Sequence, residues 1–142
     1  MEELIKKRLV KACLLTEDFY LDLSDEQLGF SIRGLPSNTI GEQAYCLIGA
    51  RESYLKALVK GEWNGFICSL TNLNDSKEIN RNLTESRARL ESFLSQESLS
   101  NMHYQLLVDL LEHEVQHHGQ LIRFSYANKL KFPKSWNNRY TV

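Results

Sequence analysis

Leu110-Leu-Glu-His-Glu-Val-Gln-His-His-Gly-Gln120 contains three of the four histidines in this 142-residue chain. Read as a helix, it sets His113 and His117 on one face, with Cβ atoms about 5–6 Å apart. At that spacing two imidazoles can bind one divalent ion. The same register collects Leu106, Leu110, Leu121 and Phe124, so the stripe advances by four, three, four, four and three. This is the face that meets a core, while Asp109, Glu112, Gln116 and Arg123 fall opposite. One histidine in such a row is more simply a core residue whose nitrogens are satisfied. Two at this spacing each need a partner, and a shared metal meets both needs at once.

Outward from that stretch, the helical pattern runs from about residue 101 to 129 and stops before Phe132-Pro133. Three more helices precede it. Ile5, Leu9, Ala12, Cys13, Phe19 and Leu23 recur at helical spacing between Glu2 and Leu23. Thr39 and Glu42 form a capping box that opens a second helix to about Lys60, with Ile40, Ala44, Leu47, Ile48, Tyr54, Leu55 and Leu58 on its apolar arc. Asp75 and Glu78 repeat that signal for a third, over about 76–95, with Ile79, Leu83, Leu90, Phe93 and Leu94 as a thin apolar set. The connection around Ser24-Asp-Glu26 has room for one further helical turn. The expected fold is therefore all-α, a four-helix bundle occupying residues 1–142 as one domain. Connections of ten to fifteen residues permit a crossing topology, and spacing does not set the helix order.

Composition narrows the function classes. Lys and Arg number 17 against 18 Asp and Glu, with no basic run, which argues against a nucleic-acid or anionic-membrane partner. No apolar segment approaches the ~18 residues of a spanning helix. The start, Met-Glu-Glu-Leu-Ile-Lys-Lys, lacks the features of a signal peptide. Cys13, Cys46 and Cys68 are odd in number and widely spaced, as expected for reduced thiols in a cytoplasm.

His113-Glu-x-x-His117 also spells the helix motif of zinc proteases. That chemistry needs a third protein ligand, usually downstream, and the 24 residues after His118 contain no His, Asp or Glu. A third ligand must then come from upstream. His103 is on the same helix, two turns or more away. Cys46, on the second helix, is the better candidate, either as a thiolate ligand or as a small buried hydrophobe. Spacing does not choose between these. Glu114, about 100° around the helix from His113, either borders the site as a proton acceptor or is a solvated helix glutamate.

Thr39-Ile-Gly-Glu-Gln-Ala-Tyr-Cys-Leu-Ile-Gly-Ala-Arg51, with Tyr54-Leu and Gly61 after it, resembles the second helix of DinB/YfiT-like proteins. His113-Glu-x-x-His117-His-Gly-Gln-Leu, followed by Pro133-x-Ser-Trp136, resembles that family's last helix and tail. The resemblance implies a four-helix bundle, often a homodimer, with a divalent metal such as Zn or Ni held by three histidines. Two correspond to His113 and His117, and Cys46 stands where the family has the third. It also implies a small-molecule substrate and a low-molecular-weight thiol, in a metal-dependent thiol S-transferase or hydrolase. The cysteine allows an alternative, a non-catalytic bundle with a degenerate metal site.

Overall fold

The structure, a computed structural model, describes residues 1–96 and 98–142. All regular structure among them is helical: α1 (Glu2–Leu21), α2 (Asp25–Leu28), α3 (Ile40–Lys60), α4 (Ser76–Gln96), α5 (Asn101–Asn128) and α6 (Lys134–Tyr140). No helix among the described residues is long and apolar enough to cross a membrane.

The helix ends follow local chemistry. At the start of α3, Glu42 N donates to Thr39 Oγ1 at 3.1 Å and Thr39 N donates to Glu42 Oε2 at 2.7 Å, the reciprocal box expected from the sequence. At α4, Asp75 accepts from Glu78 N at 3.0 Å, but the box is not reciprocal. The Glu78 carboxylate turns to Thr71 N and Oγ1 instead, tying the preceding loop to the helix. Gly61 ends α3 with φ +85°, a left-handed conformation that costs glycine nothing. α5 stops at Asn128, and Lys129 takes the left-handed cap with φ +54°, well before Pro133. α1 ends at Leu21, two residues earlier than the apolar pattern suggested.

The four long helices contact one another in a closed order. α1 packs on α4 and α5, and α3 packs on the same two. Thus α1 and α3 face each other diagonally, and the long connection between Leu21 and Ile40 crosses the assembly. The loop between α3 and α4 lies flat along α3. It can do so because α3 presents glycines there: a Cβ on Gly41 would lie 2.1 Å from Leu73 O, and one on Gly49 would lie 2.1 Å from Phe66 Cζ. Ser53 Oγ pins the same loop by exchanging hydrogen bonds with Ile67 N and O.

The apolar core has two parts. One gathers Phe19, Tyr20, Leu47, Ile48, Leu83 and Leu121 with Trp136 of α6. The other gathers Leu9, Cys13, Leu58, Leu90, Leu107 and Leu110. On every long helix a buried polar residue falls between the two sets: Thr16, Arg51, Ser86 and, on α5, Glu114 with His118. A polar layer therefore crosses the middle of the molecule.

Candidate functional site

His113 and His117 meet on α5. Their Nε2 atoms are 3.3 Å apart and their rings are tilted at 58°. His117 is buried and His113 half-buried. The orientation of His117 is set from α3. Gln43 donates through Nε2 to Asn38 Oδ1 at 3.0 Å, so its Oε1 remains to accept from His117 Nδ1–H. That bond fixes the tautomer, leaving a bare lone pair on His117 Nε2, directed at His113. His113 is held less firmly, because its buried Nδ1 has no hydrogen-bond partner among the described residues.

Burial pushes both imidazoles down from the usual value. His113 is lowered by desolvation, which outweighs the opposing effect of the Glu114 carboxylate. His117 falls to about 4, first by desolvation and then by its neighbour His113. Both rings are therefore neutral at pH 7, the form that ligates metal. The spacing fits one ion. Ligand distances of ~2.0–2.1 Å at a tetrahedral angle put two nitrogens about 3.3 Å apart.

Cys46 does not complete this pair. Among the described residues, no group of three or more His, Cys, Asp or Glu side chains is placed to hold a metal ion. The Cys46 thiol is half-buried and pushed above its usual range, by desolvation and then by the Glu42 carboxylate. From the same helix, Gln43 is what reaches His117, as an orienting carbonyl. His103 has another task altogether: its Nδ1 accepts from Ser100 N at 2.9 Å, capping α5, while its Nε2 meets Leu58 O at 3.1 Å.

Glu114 is neither solvated nor a proton acceptor beside the histidines. It is fully buried and ion-paired with Arg51, which is also fully buried. Arg51 Nη1 donates to Leu83 O at 2.9 Å and Nη2 to Cys13 O at 3.2 Å, so one guanidinium ties α3 to α1, α4 and α5. Desolvation works to raise the Glu114 carboxyl, but Arg51 and the Thr16 hydroxyl outweigh it and hold it below the usual value. The chain of bonds continues outward. Thr16 Oγ1 donates to Glu114 Oε1 at 2.6 Å and lies 2.7 Å from His118 Nε2. Thr16 has one proton, so His118 Nε2–H must be the donor in that second contact. His118 Nδ1 is then an acceptor, and Tyr140 O–H supplies the proton at 2.6 Å. Trp136 packs on the same imidazole and donates Nε1–H to Leu15 O at 2.6 Å, anchoring α6.

Five residues of these two constellations escaped the sequence reading: Gln43, Arg51, Thr16, His118 as a core residue, and Tyr140. Three carried a signal. Thr16 and Arg51 sit at helical spacing within the apolar arcs of their helices, and His118 is one step from Glu114 on the next turn. A polar residue recurring in a core row on three helices is what a buried network looks like in sequence. No family model, curated protein or solved structure matches this chain.

Proposed function

We propose that this chain is a DinB/YfiT-like four-helix bundle that holds a divalent metal, Zn or Ni, through Nε2 of His113 and His117. One observation carries the reading: two neutral imidazole nitrogens converge at 3.3 Å, with the tautomer of one fixed by a buried glutamine. Two facing acceptors repel unless a cation or a proton stands between them. His113 relieves this without metal by donating Nε2–H to His117, which leaves its Nδ1 as an unpaired acceptor.

In this reading the remaining coordination positions belong to water or to a low-molecular-weight thiol. A bound divalent metal would lower the pKa of that ligand and present it as a nucleophile to a small electrophile. The protein's own part is to hold the two rings neutral, to fix His117 through Gln43 and to surround the pair with low-dielectric walls. The activity proposed is metal-dependent thiol S-transfer or hydrolysis, in a cytoplasmic homodimer. The free state of Cys13, Cys46 and Cys68 supports a reducing compartment.

A second reading, a non-catalytic bundle with a degenerate metal site, is favoured by the position of Cys46 outside the histidine pair. The two separate in one experiment. Protein purified without chelator should carry about one divalent ion per chain, lost in His113→Ala and His117→Ala at unchanged helix content. If the wild-type chain is metal-free and Cys46→His gains an ion, the degenerate reading holds and the first one fails.

A further inference from the structure

A cleft on the other side of α5 has the character of a ligand site. It lies between α1, α5 and α6 and has a volume of about 260 Å³. Leu15 and Val115 contribute to an apolar wall, while Arg8, Lys11 and Arg139 supply three cations. Among the described residues no carboxylate lines it, although acidic residues outnumber basic ones in the chain, 18 to 17. Among the described residues none of the three cations is in an ion pair, whereas Lys6, Arg51, Arg87 and Arg89 each are.

Surface cations alone are usually just solvated. Here a second feature sets them apart. Tyr140, which forms one wall, is held through its hydroxyl by His118, and His118 is held by Thr16 and the buried Glu114–Arg51 pair. The Arg139 guanidinium lies 4.8 Å from the Tyr140 ring centre, so the wall also guides one of the cations. A wall braced by a chain of hydrogen bonds from the core loses little freedom when a ligand arrives. Because the Tyr140 proton is committed to His118, the anionic end of a ligand belongs with the cations and its body against the aliphatic wall.

We propose that this cleft binds a small organic anion, an aliphatic carboxylate or a phosphate monoester, by its charge at Arg8, Lys11 and Arg139 and by its apolar body at Leu15 and Val115. The site is independent of the histidine pair, so metal content does not bear on it.

The test is an amide NMR titration of the full chain with hexanoate, acetate and inorganic phosphate, repeated in Arg8→Gln/Lys11→Gln. Both substituted side chains are exposed, so the variant should keep its melting temperature. Expected are saturable shifts from hexanoate at residues 8–15, 111–115 and 139–140, with affinity about tenfold lower in the double variant. Acetate and phosphate should bind more weakly than hexanoate, because they lack the apolar body. Unsaturable shifts, equal affinity in the variant, or acetate and phosphate binding as tightly as hexanoate would each overturn the proposal.

Discussion

Glu114 and Arg51 show how much one residue can decide here. Each is fully buried, and among the described residues each is satisfied only by the other and by a few backbone carbonyls and hydroxyls. Replacing Glu114 by Gln keeps the shape and leaves a guanidinium charge without a counter-charge in the core. Such a loss typically costs about 3–5 kcal/mol, and the urea midpoint of Glu114→Gln should fall accordingly. A midpoint within experimental error of wild type would mean the pair is solvated. At this scale the sequence showed the histidine pair but misread its surroundings. His113 and His117 were legible because four-residue spacing on an apolar stripe is a local property. The partner of Glu114 was not, because it is 63 positions away and spacing does not say which helix faces which. The core-facing arc of α5 is also rotated from the expected stripe. Leu107, Glu114 and His118 lie within it, and His113 and Leu106 lie at its edge. A hydrophobic pattern counts Glu114 and His118 as outward, yet Arg51, Thr16 and Tyr140 make their burial tolerable.

At the level of elements, α3 organises the most. It carries the capping box, Gln43, Arg51 and the glycines on which the loop to α4 rests. Helix propensity alone favours alanine over glycine by about 1 kcal/mol. At Gly41 packing should win instead, because the new Cβ would press on a backbone carbonyl oxygen, Leu73 O, which no side-chain rotation can clear. Gly41→Ala should therefore lower stability by about 1–3 kcal/mol, read by chemical denaturation, and a gain in stability would show that the loop gives way. The four long helices were legible because each has several turns of periodicity and two, α3 and α4, open on a side-chain start signal. α6 was not. Seven residues hold too little periodicity to read, and its place is set by Trp136 reaching Leu15 O and by Tyr140 reaching His118.

For the whole molecule, the polar layer between two apolar clusters makes stability depend on pH. His118 is lowered from 6.5 to about 4, first by desolvation, so the folded chain keeps it neutral where the unfolded chain protonates it. The unfolded state then binds more protons between those values, so stability rises with pH there. For His118 alone this amounts to about 3 kcal/mol, present above pH ~6.5 and lost as pH falls to ~4. The metal-free protein should melt at progressively lower temperature across that window, and a flat profile would contradict the buried neutral imidazole. The helix order belongs to this scale too. The diagonal placement of α1 and α3 rests on contacts across the whole assembly, which connection lengths permit but do not specify.

In the proposed metal site, Gln43 orients His117 and the metal sits between His113 and His117. Titration of the metal-free chain with cobalt(II), followed by its visible absorption, tests it most directly. Saturation is expected at about one cobalt per chain, with a nitrogen-and-oxygen spectrum that lacks a thiolate charge-transfer band, and affinity about 10–100-fold weaker in Gln43→Leu. Cobalt that fails to bind, or binds equally in His113→Ala and His117→Ala, would contradict it.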